Sequence, residues 1–305
     1  MAQDTYHIPA LLGESLDALN IRPDGIYVDA TLGGGGHSHA IADRLSGPGH
    51  LYSIDRDSDA IAHAFEHPNF TAIHGDFRYL TNYLRYYGHT GRVDGILADL
   101  GVSSHHFDDA SRGFSFRADA PLDMRMNQAG AMTAAELLAT APEERLAMLF
   151  KVYGEFRQAR RLAATIVKAR ANGGVRTTGE LAAIAEPMLN PARAKKELAQ
   201  IFQALRIEVN GEMLALEAFL KQTAAELRPG GRLAIITYHS LEDRMVKNFM
   251  RSGRIDGDAK KDLFGRSSAP LKPLGKAIVP TPAEIERNPR ARSAKLRIAE
   301  KIDNP

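Results

Sequence analysis

The sequence predicts an α/β fold in which an all-helical domain is inserted into a mostly parallel sheet. Over the first hundred of the 305 residues, short apolar runs rich in β-branched side chains alternate with helical patterns. This alternation is typical of parallel strands joined by right-handed helical crossovers. It stops after residue 104, and the next clear strand comes only at residue 233. Since one crossover needs far less chain than that, we expect an inserted domain.

The first half of the sheet is predicted from four strands and the three helices that join them. Four apolar runs have the length of strands: 26–30, 51–54, 70–73 and 93–98. Three segments with helical spacing separate them: 37–45, 58–65 and 77–87. The order of elements is therefore β-α-β-α-β-α-β, which predicts a parallel sheet.

The inserted domain is predicted to be helical. Four segments carry apolar residues at helical spacing: 134–153, 156–171, 179–188 and 194–205. In the last of them, Leu198, Ile201 and Leu205 share one face. We therefore assign residues 105–205 to a helical substrate-recognition domain, and residues 1–104 and 206–305 to the core domain.

The chain returns to the core domain through a long helix. Apolar residues lie along one face of this helix: Val209, Met213, Leu216, Leu220 and Leu227. After the turn at 228–231 we predict a strand, a helix, a loop rich in Gly, Ser, Lys and Pro, and two final strands: 233–238, 241–250, 257–275, 276–279 and 294–298. These strands bring the predicted total to seven.

The composition excludes several classes of protein. The chain has no cysteine, so disulfides and thiolate metal sites are excluded. It has no run of eighteen apolar residues and no basic stretch followed by an apolar run near its start. We therefore expect a cytoplasmic protein that is neither exported nor membrane-spanning.

Charge is divided unevenly along the chain. Residues 244–305 contain fifteen Lys and Arg against seven Asp and Glu, whereas acidic residues are in excess over the rest of the chain. A cluster of positive charge attracts a polyanion such as nucleic acid through counterion release. An ordinary solvated surface has the same composition, so charge alone leaves both interpretations open.

Four consecutive glycines, Gly33, Gly34, Gly35 and Gly36, lie between a predicted strand and a predicted helix. Without side chains, they let the backbone approach a ligand closely, which favours a nucleotide-like cofactor. The dinucleotide-binding pattern fits only in part, because Ser38 stands where its third glycine belongs. No Gly-Lys-Ser/Thr sequence is present, which excludes a Walker phosphate loop. A tight turn with no ligand is the alternative.

Carboxylates follow the predicted strands. Asp55 ends the second strand, where it can accept hydrogen bonds from the ribose hydroxyls of a nucleoside; alternatively, it caps the next helix. Phe77 follows the third strand and is placed either at an adenine or in the core. Asp99 ends the fourth strand. The carboxyl ends of parallel strands form the edge at which open α/β sheets bind ligands.

Several longer motifs identify a family. They are His7–Leu12, Asp29–Ser38, Asp99–Ser104, Arg112–Phe116, Pro121–Met126, Phe202–Ile207, His239–Arg244 and Asn288–Ser293. Together they resemble the bacterial ribosomal RNA small-subunit methyltransferase H family over nearly the whole chain. The resemblance implies a class I (Rossmann-like) methyltransferase that uses S-adenosyl-L-methionine. It also implies a substrate: N4 of a cytidine near the decoding site of 16S rRNA, in the small ribosomal subunit.

The resemblance also assigns cofactor contacts. They fall on the glycine turn and on the strand ends reached above: Gly35, Gly36, His37, Asp55, Phe77 and Asp99. The family's remaining cofactor contact is a glutamine, whose place His106 takes here; an imidazole can donate or accept a hydrogen bond but cannot reproduce a primary amide. His105 and His106 are followed by Asp108 and Asp109, which suggests a metal site. We predict no metal, because adjacent residues seldom converge on one ion and methyl transfer needs none.

The remaining candidates concern the substrate. Asp99 is our catalytic candidate, since a carboxylate that accepts from the N4 hydrogens raises the nucleophilicity of the amine. The chain contains no Pro-Pro, so the usual clamp of amino methyltransferases is absent. Tyr238 and His239 after the fifth strand are candidates to hold the base, and Arg290 and Arg292 to hold RNA. Two other functions stay open: a Rossmann nicotinamide oxidoreductase and a non-enzymatic RNA-binding assembly factor.

Overall fold

The computed structural model describes residues 9–103, 107–130, 132–258 and 269–303. The chain divides into two compact units. The first comprises Met1–Gly101 and Met213–Pro305, and the second comprises Val102–Glu212.

The first unit is built on a seven-stranded sheet. Its strands are β1 (Ile26–Asp29), β2 (His50–Asp55), β3 (Phe70–His74), β4 (Val93–Asp99), β5 (Leu227–Thr237), β6 (Leu271–Pro273) and β7 (Lys295–Lys301). They lie in the order β3-β2-β1-β4-β5-β7-β6. The pairings from β3 to β5 are parallel, whereas β7 runs antiparallel to both β5 and β6. The predicted mostly parallel, seven-stranded α/β fold is confirmed.

Helices occur in both units. In chain order they are α1 (Leu12–Leu19), α2 (Gly36–Ala42), α3 (Ser58–Ala62), α4 (Leu80–Tyr86), α5 (Ala134–Thr140), α6 (Glu143–Val152), α7 (Ala159–Ala169), α8 (Thr178–Ala185), α9 (Ala194–Asn210), α10 (Glu212–Glu226), α11 (Ser240–Ser252) and α12 (Pro282–Arg287). Helix α5 begins at a capping box formed by Thr133 and Glu136, and α8 at a second one formed by Thr177 and Glu180.

The sheet is apolar on both faces. Successive residues of a strand point to opposite faces, and Tyr27 and Val28 of β1 accordingly belong to two different buried clusters. The same division separates Leu97 from Ile96 in β4. A central parallel sheet covered on both faces follows from these near-continuous apolar runs.

Several predicted elements differ from the structure. The sixth strand is Leu271–Pro273, within the predicted loop at 257–275, whereas the predicted strand at 276–279 contributes only a bridge from Ile278 to Leu296. The fifth strand is longer than predicted and begins at Leu227, before the Pro-Gly-Gly turn. Its pairing with β4 is irregular there: Val93 pairs with Leu227 and Gly95 with Arg232.

The second unit is helical and has its own core. The predicted helix at 134–153 is in fact two helices, α5 and α6, because Ala141 ends the first in an extended conformation and Pro142 precedes the second. Leu146, Phe150 and Leu205 are among its fully buried core residues. Asn210 closes the unit: its amide nitrogen donates to the Met124 carbonyl, and its amide oxygen accepts from the Met126 N–H.

Candidate active site

Three carboxylates lie at the carboxyl edge of the sheet. Asp29, Asp55 and Asp99 are the last residues of β1, β2 and β4. Strand β1 lies between the other two, so the three carboxylates end three adjacent strands. This edge is where open α/β sheets bind ligands.

Asp29 is fully buried and organises the turn that follows it. One oxygen accepts from the N–H of Thr31 at 3.1 Å and from its hydroxyl at 3.3 Å, and the other accepts from Ser38 Oγ at 2.6 Å. Ser38 Oγ lies 2.8 Å from Ser53 Oγ. Burial raises the pKa of Asp29 to about 7, although these hydrogen bonds lower it. The sequence reasoning did not assign Asp29 to the site, although it lies in the quoted motif.

The glycine turn between β1 and α2 needs its glycines for different reasons. Gly33 and Gly35 have positive φ values of 49° and 78°, which side chains rarely allow. At Gly36, a Cβ would lie 2.4 Å from Pro9 Cγ. Gly34, between them, is exposed. The turn is therefore set by backbone geometry and close packing, and presents Gly34 to solvent.

Asp55 holds this turn against the end of β2. One carboxylate oxygen accepts from the Gly33 N–H at 2.8 Å, and the other accepts from the Asp57 N–H at 2.9 Å. Helix α3 is capped by Asp57, which accepts from the Asp59 N–H at 3.1 Å. The alternative in which Asp55 caps this helix is therefore wrong. Asp55 instead ties the glycine turn to the second strand.

Asp99 and Tyr238 form a hydrogen-bonded pair. The Tyr238 hydroxyl donates to Asp99 Oδ1 at 2.8 Å. Burial, with a smaller contribution from the charges of Asp29 and Glu242, raises the pKa of Asp99 to about 7. Burial and the neighbouring Asp99 raise the pKa of Tyr238 far above its ordinary value, so the phenol keeps its proton. Asp99 thus titrates near pH 7, beside a Tyr238 hydroxyl that stays protonated and donates to it.

His37 faces the second oxygen of Asp99. Its Nε2 lies 3.1 Å from the Ala10 carbonyl oxygen, and its Nδ1 lies 3.8 Å from Asp99 Oδ2. Because a carbonyl only accepts, Nε2 carries the proton. The ring is buried, and its Nδ1 contact with Asp99 is longer than a hydrogen bond.

Tyr238 and His239 are held by the start of α11. Glu242 accepts from the backbone N–H groups of Tyr238 and His239, and His239 Nδ1 accepts from the Glu242 N–H. The His239 side chain is only 7% exposed, and its Nε2 lies 3.1 Å from Glu242 Oε1. His239 therefore forms the N-cap of α11, whereas Tyr238 points to Asp99. The sequence reasoning missed Glu242; its place three residues after His239 is the capping-box signal.

Residues 4–302 of the chain match the MraW methylase family. The chain belongs to this family. A protein of Parabacteroides distasonis named ribosomal RNA small subunit methyltransferase H is 55% identical over 298 residues, 97% of this chain and 98% of that protein. The proteins of that name in Bacteroides thetaiotaomicron and Phocaeicola vulgatus are each 56% identical, over 97% and 98% of this chain and 98% and 99% of their own. The resemblance seen in the motifs is confirmed.

Phe77 of this MraW methylase family member is partly buried. It begins a 3-10 turn and packs against Phe219, with ring centroids 5.1 Å apart. One residue earlier, Asp76 caps the same turn and forms an ion pair with Arg78 at 3.0 Å. Phe77 thus packs in the core and also lies next to the carboxyl edge.

Other candidate residues belong to other elements or lie outside the described residues. Two aromatic residues of the motif Arg112–Phe116 pack in the helical unit: Phe114 is buried in its core, and Phe116 packs against Phe202. Arg290 and Arg292 are exposed in the 3-10 turn Pro289–Ser293. His105 and His106 lie outside the described residues, and so does the predicted cofactor contact of His106.

Within the described part of the chain, none of the helices is both long and apolar enough to cross a membrane.

Proposed function

We propose that this chain transfers a methyl group from S-adenosyl-L-methionine to N4 of a cytidine in 16S rRNA of the small ribosomal subunit. The names of its relatives support ribosomal RNA as the substrate, and the motif resemblance supports the cytidine. The observation that carries the proposal is the group of three carboxylates around the glycine turn, two of them with a raised pKa. A ribosomal substrate also implies a cytoplasmic enzyme.

The carboxylates favour a cationic cofactor over a dinucleotide. Asp29, Asp55 and Asp99 end adjacent strands, and the charge of one raises the pKa of another. An anionic pyrophosphate at this edge would be repelled by the same charges. A nucleoside that carries a sulfonium instead meets opposite charge there. This argues against a nicotinamide oxidoreductase.

Asp55 has the capacity to hold a ribose in addition to the turn. Each carboxylate oxygen accepts about two hydrogen bonds. Its oxygens accept from the N–H groups of Gly33 and Asp57, and a ribose hydroxyl is a donor of the same kind. Gly34 is exposed beside it, in a turn with no side chain to obstruct a ligand.

Asp99 is the residue placed to act on the acceptor amine. When bound, S-adenosyl-L-methionine supplies an electrophilic methyl group. Tyr238 occupies Oδ1 of Asp99 and so fixes the plane of the carboxylate. Ionised Asp99 would accept a hydrogen bond from N4, which raises electron density on the nitrogen and orients its lone pair, and would take the proton that N4 loses as it gains the methyl group. His239 and Glu242 act as positioning residues for Tyr238 through the cap of α11.

We assign RNA contacts to basic surfaces of both units. In the helical unit, Lys151, Arg157, Arg160 and Arg161 line one groove with Glu155. All four basic side chains are exposed, and among the described residues no carboxylate lies within 4 Å of them. Such unneutralised charge suits an RNA backbone. In the core unit, Arg290 and Arg292 are the corresponding candidates.

Mass spectrometry of 16S rRNA tests the proposal. Small subunits from a strain that lacks the gene are incubated with the purified chain and S-adenosyl-L-methionine. We expect one new methyl group on N4 of a cytidine with the wild type, and none with Asp99→Asn, which is matched in size. Calorimetry with S-adenosyl-L-methionine separates the alternatives: binding near one per chain supports a methyltransferase. RNA binding without binding of S-adenosyl-L-methionine would instead support an RNA-binding assembly factor.

A further inference from the structure

A second surface of the core unit combines aromatic rings with positive charge. It lies at the amino edge of the sheet, because α4 starts after β3 ends and runs back to the start of β4. We call it the tyrosine patch and define it by these residues: Tyr52, Arg85, Tyr86, Tyr87, His89 and Arg92. Along β2, Asp55 lies five residues, or about 17 Å, from His50 at this edge and three residues, or about 10 Å, from Tyr52. The patch is therefore distinct from the candidate active site.

The sequence of this region is unusual. Between Phe77 and Val93 the chain has four tyrosines and three arginines but no acidic residue. Only part of this composition serves the core: Leu80 and Leu84 are the buried residues of α4. Tyr86 is 83% exposed. A large exposed aromatic side chain beside basic residues is typical of surfaces that bind nucleic acid.

The rings of the patch form a connected platform. Buried Tyr52 lies at its base, with ring centroids 4.5 Å from Tyr87 and 5.5 Å from His89. Tyr87 in turn meets Tyr86 edge-on, at 5.0 Å and 89°. Partial burial, with a smaller contribution from Arg92, lowers the pKa of His89. His89 is thus a neutral ring at pH 7, and Tyr86 is the outer end of the platform.

The backbone beneath these rings is fixed by hydrogen bonds. The N–H of Tyr87 donates to Tyr83, that of His89 to Leu84 and that of Arg92 to His89, at 3.0, 2.8 and 3.1 Å. Buried Glu226 accepts from Gly91 and from Thr81, and so ties the loop and the helix to α10. A platform fixed in this way loses little conformational entropy when it binds.

The positive charges of the patch have no acidic partner. Arg85 and Arg92 are both exposed. Within the described part of the chain, no carboxylate lies within 4 Å of either guanidinium. Both are therefore available for phosphate contacts beside the aromatic platform.

We propose that the tyrosine patch binds an unpaired segment of the RNA substrate, at a distance from the methylated nucleotide. A base stacks on Tyr86, and Arg85 and Arg92 bind the flanking phosphates. The choice of RNA rests on the proposed function. A protein surface would be the other occupant of an aromatic patch, but the unpaired arginines and the absence of acidic residues favour a polyanion.

Titration of labelled RNA tests this proposal. The probe is fluorescein-labelled oligouridylate of about 12 nucleotides, which has no structure of its own. We expect Tyr86→Ala to weaken binding about tenfold, equivalent to about 1.4 kcal/mol. Tyr86→Phe should keep wild-type affinity, because it keeps the ring. Tyr79→Ala, which removes an exposed tyrosine at the other end of α4, is the matched control and should bind as the wild type does.

The arginines give a second readout. Arg85→Ala with Arg92→Ala should flatten the dependence of log affinity on log salt by about 1.4, because each phosphate of a single strand that an arginine neutralises adds about 0.7 to the slope. Equal affinities of wild type and Tyr86→Ala for the oligonucleotide would overturn the proposal. The proposal would also be overturned if Tyr86→Ala weakened binding to intact small subunits but not to the oligonucleotide, because this would identify a protein partner. A wild type that binds the oligonucleotide at Tyr86 but has no affinity for S-adenosyl-L-methionine would refute the proposed function only.

Discussion

Replacement of Tyr238 by phenylalanine tests the proposed role of Asp99 most directly. The substitution keeps the ring and removes only the hydroxyl that donates to Asp99 Oδ1 at 2.8 Å. That hydrogen bond favours the ionised carboxylate, whose pKa burial has already raised to about 7. In Tyr238→Phe, the pKa of Asp99 should therefore rise further.

The size of the effect follows from the strength of the bond. A hydrogen bond to a charged group contributes about 1.5 to 3 kcal/mol, and one pKa unit corresponds to about 1.4 kcal/mol. The pKa of Asp99 should thus rise by about 1 to 2 units. At pH 7 the ionised fraction falls from about one half to between about one tenth and one hundredth, so methyl transfer slows by about 5- to 50-fold.

The assay is single-turnover methyl transfer to small subunits from pH 6 to 10. With ionised Asp99 as the active form, the rate should increase with pH through about 7 in the wild type and through a higher pH in the variant. The two rates should converge above the variant's pKa. Tyr153→Phe, which removes a tyrosine hydroxyl in the helical unit, should leave the profile unchanged. A Tyr238→Phe profile with the wild-type midpoint, or a loss that alkaline pH does not restore, would refute the reasoning.

Three further predictions concern the carboxylates and the basic groove. Asp55→Asn should weaken S-adenosyl-L-methionine binding at least tenfold by calorimetry, because a charged acceptor becomes neutral; a loss below threefold would limit Asp55 to holding Gly33. Asp29→Asn should raise the Tm at pH 8 but not at pH 4, because a folded pKa raised from 3.8 to about 7 makes the wild type less stable as pH rises through that range. Arg157→Glu with Arg160→Glu should reduce the salt dependence of 16S rRNA binding and leave cofactor affinity unchanged. If the wild type and the variant showed the same slope of log affinity against log salt, the RNA would bind elsewhere.

Residues at strand ends were predictable from the sequence. The period of the apolar runs locates β2 and β4, and Asp55 and Asp99 follow as their last residues. Parallel strands bring such residues to one edge, so their proximity needs no further information. The capping role of Asp57, in contrast, was one of several assignments that the local sequence allowed, and the backbone geometry decided among them.

Other parts of the site depend on contacts distant in sequence. Tyr238 meets Asp99 across 139 positions, and no local pattern predicts that pairing. In the sequence Asp29 is an ordinary strand end, and only the structure shows that it is buried and hydrogen-bonded to Thr31 and Ser38. Strand β6 is three residues long and pairs antiparallel with β7, too short for periodicity to detect.

Without a bound cation, ionisation of the three carboxylates at one edge costs free energy. Burial raises the pKa of Asp29 and of Asp99 to about 7, and the charges of neighbouring acids contribute to both shifts. Such groups resist ionisation together, so the unliganded site holds protons at neutral pH. A cation bound between them would favour the ionised forms and release those protons. Binding of S-adenosyl-L-methionine should therefore be tighter at pH 8 than at pH 6. If Asp99 acts on the amine as proposed, the same ionisation prepares it to accept from N4, and cofactor binding would be coupled to activation of the acceptor.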